Sequence, residues 1–296
     1  MKNFNFCGMK KKKNYFEGWY FKISDNENNC YSFIFGITLN EEDPHSFIQI
    51  IDQRQNKVYY FKYKVSDFSH TDNLISIGNN VLSCNCLKLL VYPFDIDVTI
   101  NPTTYLKRRF FGRSVMSYFK YLPLPTKHEI VYMKAKVKGI IKNMNNCFDF
   151  CGSGYMEKDY GTAFPKRWLW IQTNQFTHND ISLVISKADL LGRISGFFCF
   201  LNINGKEYRF ATYNGAKIKK KRVKDGINFI IKKDEYTLKI RLKKEKGNMI
   251  IAPVHKAKMA KKIEESLNSK LFLFLYKNNK LIKKDSSFVV ACEYLY

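Results

Sequence analysis

The sequence predicts an antiparallel all-β protein, a barrel or sandwich, carrying one or two short helices. Apolar and polar residues alternate with period two almost throughout, as half-buried strands require. Apolar segments of about five to nine residues are broken at short intervals by Asn, Asp and Gly, the punctuation of an antiparallel meander. With 296 residues, 45% of them hydrophobic and 16% aromatic, the chain can bury one large β core or two modest ones.

In chain order, "NYFEGWYFKI" (14–23) and "NCYSFIFGITL" (29–39) read as the first two strands around the polar turn "SDNEN". "HSFIQIIDQRQNKVYYFKYKV" (45–65) is a further pair turning at "DQRQNK". "NMIIAPV" (248–254) and the stretch from Lys270 to the last residue add more β structure, with hairpins at "KNN" and "KDSS". Two stretches break the alternation. "TTYLKRRFFGRSVMSYFKYLPLP" (103–125) can form one or two short helices before a proline-bounded loop. In "HKAKMAKKIEESLNSK" (255–270), Met259, Ile263 and Leu267 recur at spacing four. That spacing fits a basic amphipathic helix and equally a turn followed by a strand. The pattern restarts after "NNCFDFCGSG", so the expected domains are 1–148 and 149–296.

No apolar run reaches the ~18 residues of a membrane helix. The N-terminal residues lack the apolar core of a secretion signal, so the expected location is cytoplasmic, with peripheral membrane contact left open. The eight cysteines include no paired spacing typical of zinc sites and read as small hydrophobes. The net charge of +24 suits nucleic acid or an anionic membrane surface. Yet the bases are spread along the chain, with short clusters at Lys10–Lys13, Lys217–Lys224 and Lys256–Lys262. No recognition helix or RNA-binding motif accompanies them. The accompanying bias to Asn, Ile, Phe and Tyr is that of AT-rich coding sequence, so no specific nucleic-acid partner is expected. Weak association with a membrane surface stays open.

The most specific stretch is "GYMEKDYGTAFPKRWLWIQTNQF" (154–176). Read as a strand, it projects Tyr155, Glu157 and Asp159 to one face and Met156, Lys158 and Tyr160 to the other. Trp168, Trp170, Gln172 and Asn174 likewise share a face, and Gly161 and Pro165 shape the turn between. In "YFEGWYFK" (15–22), Tyr15, Glu17, Trp19 and Phe21 alternate with Phe16, Gly18, Tyr20 and Lys22.

These two motifs, with "FIQIID" (47–52) and "PVHKAKMAKKIEESL" (253–267), resemble the tocopherol cyclase-like family, a distant relative of carotenoid hydratases of the hydroxyneurosporene synthase type. The resemblance runs in order over nearly the whole chain. Tyr160 stands where the family usually has Trp. His128 follows "YLPLPTK" at a place where plant-like members carry a histidine in a comparable loop. The resemblance implies two lipocalin-like β domains, an apolar prenylated quinol or isoprenoid ligand, and cyclisation or hydration of a double bond without a cofactor or metal.

That chemistry begins by protonating an alkene to a tertiary cation, which a phenol oxygen or water then traps. A carboxyl in an apolar pocket stays protonated at neutral pH, and aromatic rings stabilise the cation. Glu157 is the first candidate for the acid, with Asp159 as its partner and Glu17 in reserve. Trp19, Tyr20, Tyr155, Tyr160, Trp168, Trp170, Gln172 and Asn174 are the candidate ligand-binding residues. A non-catalytic carrier of apolar lipids is the alternative, favoured if Lys158 or another base neutralises Glu157.

Overall fold

The computed structural model describes residues 3–27, 29–107, 114–144, 146–191 and 194–295. The chain is all-β and lipocalin-like, as predicted, with two curled antiparallel sheets. The first holds β1 (Phe16–Asp25), β2 (Cys30–Thr38), β3 (His45–Asp52), β4 (Lys57–Tyr63), β5 (Phe68–Thr71) and β6 (Leu74–Ile77). It continues with β7 (Asn80–Ser83), β8 (Cys86–Val91), β9 (Phe94–Thr104), β10 (Thr126–Asn143) and β11 (Asn146–Gly161). The second holds β12 (Trp168–Thr173), β13 (Ile181–Leu191), β14 (Ile194–Ile203), β15 (Lys206–Ala211) and β16 (Lys217–Val223). Then come β17 (Gly226–Lys233), β18 (Tyr236–Lys243), β19 (Asn248–Pro253), β20 (Met259–Lys277) and β21 (Lys280–Tyr294).

Two units result, and neither is a continuous stretch. Residues 1–164 with 250–262 form one, and 165–249 with 263–296 the other. The expected division near residue 149 falls inside β11. β11 pairs with β1 and β10 along most of its length, so no boundary can form there.

In the first unit the strand order is β4-β3-β2-β1-β11-β10-β9-β8-β7-β6-β5. The long, narrow sheet curls until Asn80 of β7 donates to the Tyr63 hydroxyl of β4 at 3.2 Å. Its concave face is filled by side chains from alternate positions, including Trp19, Phe21, Phe33, Phe35, Val137 and Met156. The segment before β1 enters this core. Phe4 is fully buried, and its carbonyl accepts the Trp19 indole N–H at 2.7 Å. In the second unit β12 lies between β13 and β21, and Leu169 and Ile171 point into a separate core with Leu183, Leu201, Leu238 and Leu273.

Among the described residues, neither expected helical stretch forms an α-helix. Of residues 103–125, the first two end β9 and 117–121 make a 3-10 turn; 108–113 lie outside the described residues. Residues 255–257 form a 3-10 turn and β20 follows directly. Spacing four is a multiple of the strand period as well as near the helical one, and Ile263 and Leu267 are buried by the strand. The strand prevails because the alternation continues through Leu271, Leu273 and Leu275, and Lys256 and Ala257 adopt positive φ at 58° and 61°, which no helix start tolerates. All eight cysteines are free.

Candidate functional site

β11 carries different polar clusters on its two faces. Its antiparallel register sets Glu157 beside Tyr20 of β1 and Ile130 of β10, and Asp159 between Gly18 and His128. Tyr155, Glu157 and Asp159 therefore line one face with His128, away from the core residue Met156. His128 Nδ1 lies 2.8 Å from Asp159 Oδ1, and Nε2 lies 3.3 Å from Glu157 Oε2. The Tyr155 hydroxyl donates to that same Glu157 oxygen. The side chains of His128, Glu157 and Asp159 are 14%, 7% and 21% exposed, so the line runs from a buried phenol to a partly open carboxylate.

Burial disfavours the His128 imidazolium, but the charges of Asp159 and Glu157 and their hydrogen bonds outweigh it. They lift its pKa well above the usual 6.5. The imidazole thus lies between two carboxyl groups, one at each ring nitrogen. The three groups also lie within 4.8 Å of one another, close enough to suggest a metal site. Each carboxylate addresses a different ring nitrogen, and the trio offers one ligand atom from each residue, a set that suits an ion as well as a shared proton.

The opposite face of β11 holds a buried ion pair. Lys158 Nζ lies 2.8 Å from Glu17 Oε1, with the two side chains 1% and 0% exposed. Glu17 also accepts from the Cys7 backbone N–H at 3.1 and 2.9 Å and from the Tyr15 hydroxyl at 2.5 Å. Lys158 donates to the Asn5 carbonyl, and its ammonium sits over the rings of Trp19 and Tyr160 at 5.7 and 5.1 Å. Breaking such a pair strands a buried charge at a cost of about 3–5 kcal/mol. Glu17 is therefore saturated by cation and donors, and with Lys158 it pins residues 5–7 across the core. Glu129 of β10 shares this face opposite Lys158, and burial raises its pKa.

The structure thus sorts the candidate residues. Tyr155, Glu157 and Asp159 come together, with Tyr20 on the adjacent strand of the same face. Glu17, Trp19 and Tyr160 lie on the core side. Trp168, Trp170 and Gln172 alternate with Leu169 and Ile171 on β12 of the second unit and project from the face opposite its core. All three are buried, as is Asn174 just beyond the strand, and the Trp168 indole donates to Glu293 at 2.5 Å. His128, which joins the two carboxylates, was not among the candidates from sequence. Its position after "YLPLPTK" was the available signal.

The profile of the tocopherol cyclase-like family matches residues 92–293, over half of the chain and including His128, Glu157 and Asp159. The chain belongs to that family. Among solved structures, this tocopherol cyclase-like protein is similar to an AttH-like protein from Nitrosomonas europaea, at 11% identity and a TM-score of 0.57 over 95% of this chain and 93% of that one. It is also similar to kievitone hydratase from Nectria haematococca, at 12% identity and a TM-score of 0.57 over 98% and 93% of the two chains. At these identities the likeness is one of fold. A search of curated proteins finds no match.

Proposed function

We propose that this tocopherol cyclase-like protein binds an apolar prenylated quinol or isoprenoid and adds an O–H bond across one of its double bonds, by cyclisation or hydration. The observation that carries the reading is the line Tyr155–Glu157–His128–Asp159, buried at one end and partly open at the other. Such a line can hold and pass on a proton, because Asp159 and Glu157 raise the pKa of His128 well above its usual value. The family itself and the hydratase fold neighbour agree with this class of reaction.

An imidazolium stabilised by two carboxylates is a weak acid, so a free carbocation would form slowly from it. A concerted addition avoids that barrier. The proton leaves the His128–Glu157 pair for the less substituted alkene carbon while the phenol or water oxygen bonds to the tertiary carbon. The O–H proton of the attacking group returns to the carboxylate, directly or through Tyr155. One C=C π bond and one O–H bond break, one C–H and one C–O bond form, and the cluster ends with the protons it began with. Asp159 holds the ring of His128 and its charge in place, as carboxylate partners do for histidine in other proton transfers. The carrier reading is favoured where Lys158 or another base neutralises Glu157: Lys158 pairs with Glu17 on the other face, but His128 lies 3.3 Å from Glu157, so a non-catalytic carrier of apolar lipids stands as the second reading.

The test is incubation of the purified protein with a panel of prenylated quinols and isoprenoid alcohols in D2O. The expected product carries one deuterium on the carbon beside the new C–O bond. Glu157→Gln and His128→Gln should each lower the rate by about 10²–10⁴-fold, the usual contribution of general acid–base groups. Binding of the whole panel without conversion, unchanged in both variants, would leave a carrier in place of an enzyme.

A further inference from the structure

The second unit exposes a sheet face on which cations and apolar side chains alternate across five strands. Strand register builds it in rungs. One rung runs Lys219–Ile230–Lys239–Phe274–Lys284 from β16 to β21, and the next runs Lys221–Asn228–Arg241–Phe272–Ser286. The intervening positions Phe229, Ile240 and Leu273 face the core, so both rungs point outward. Lys217 and Lys232 pair in a third rung, and Lys243 and Lys270 in a fourth. Neither of the two central rungs contains a carboxylate.

Ile230, Phe272 and Phe288 are 37%, 39% and 50% exposed on this face. The rings of Phe272 and Phe288 meet edge to face at 6.4 Å, which forms an apolar island among the lysines. Beside it lies a cleft of about 850 Å³ lined by Arg241, Lys243, Phe272, Phe274 and Lys284. Of its two acids, Asp285 is buried and receives hydrogen bonds from Asn179 and from the His178 and Ser286 backbone. Asp225 is the other.

We infer that this face docks onto a bilayer rich in anionic phospholipid. Charge complementarity selects the anionic surface. The apolar island can enter the boundary between headgroups and acyl chains, and the cationic cleft can seat a phosphate headgroup. The exposed apolar residues include an aliphatic one as well as phenylalanines, and all but one of the cations on these rungs are lysines. Base recognition, in contrast, relies on arginine and stacked aromatic platforms. The inference rests on the second unit alone and is independent of the double-bond chemistry.

The test is sedimentation of the full-length protein with vesicles of phosphatidylcholine, with and without phosphatidylserine, at rising salt. The expected result is binding only to the serine-containing vesicles, weakening as salt screens the charges. The exposed-site variant Lys219→Gln/Lys239→Gln/Arg241→Gln should bind at least about tenfold more weakly. Phe272→Ser/Phe288→Ser should lose the part of binding that survives high salt. Lys10→Gln/Lys11→Gln/Lys12→Gln removes equal charge elsewhere and should bind normally. Equal loss in that control would mean that net charge alone acts and overturn the proposal, as would no binding to anionic vesicles. Tighter capture of a single-stranded oligonucleotide, lost in the same face variants, would replace it with a nucleic-acid surface.

Discussion

His128 is the residue on which the electrostatics of this β11 face turn. Its pKa is raised by Asp159 and Glu157 against the opposing effect of burial. A group whose folded pKa exceeds its unfolded value adds stability that is complete below the unfolded value, here about 6.5, and is lost as pH climbs through the folded value. The melting temperature of the wild type should therefore exceed that of His128→Gln by a constant margin below pH ~6, and the margin should shrink steadily through the alkaline range. Calorimetric melting of both proteins from pH 5 to 10 checks this; a margin independent of pH would show that His128 is not held protonated by its neighbours. Tyr155, Glu157 and Asp159 were legible as a set because period two fixes a face. The partner of each face was not. Lys158 stands between Glu157 and Asp159 in sequence yet pairs with Glu17 some 140 residues away.

The same limit recurs at the level of strands, where irregularity decides which residues meet. The β10–β11 hairpin pairs Asn143 with Asn146 and Ala135 with Gly154, a register that carried on unbroken would set His128 opposite Gly161. Irregularities between Tyr132 and Ala135 and between Ile130 and Tyr132 move His128 opposite Asp159 instead. Alternation reveals the strands and their faces but not such slips, and so the pairing of His128 with the two carboxylates was not legible. The strand's exit is equally specific. Gly161 has φ of 153°, and a Cβ there would lie 2.0 Å from the Pro125 carbonyl oxygen. That oxygen also accepts from the N–H groups of Thr162 and Ala163 at 2.8 and 3.3 Å. Gly161→Ala must push the two chains apart two residues from Asp159. The expected result is a loss of about 1–3 kcal/mol in urea unfolding together with a fall in any turnover. Unchanged stability and turnover would mean that the end of β11 yields freely and does not position the carboxylates.

For the molecule as a whole, the all-β class and the family were legible because both are written in local pattern and motif. The partition into units was not, because it depends on which distant segment a strand meets. Residues 250–262 belong to the first unit although about 85 residues of the second precede them. Their attachment is specific. Gln49, 1% exposed, donates to the Ile251 carbonyl at 2.9 Å and accepts from its N–H at 2.8 Å. Thr38 donates to the Ala257 carbonyl at 2.6 Å, Asn40 to that of Lys256 at 3.0 Å, and the Phe164 N–H to that of Pro253 at 3.0 Å. A fragment ending at Phe164 loses these hydrogen bonds, each worth about 0.5–1.5 kcal/mol. A synthetic peptide of residues 250–262 should then raise the fragment's urea midpoint in a saturable way, because it binds the folded state alone. Trp19, the fragment's single tryptophan, reports the transition by fluorescence. A scrambled peptide should do nothing. If the native peptide also leaves the midpoint unmoved at millimolar concentration, residues 250–262 lie against the first unit without stabilising it, and the double crossing of the chain between units has no energetic role there.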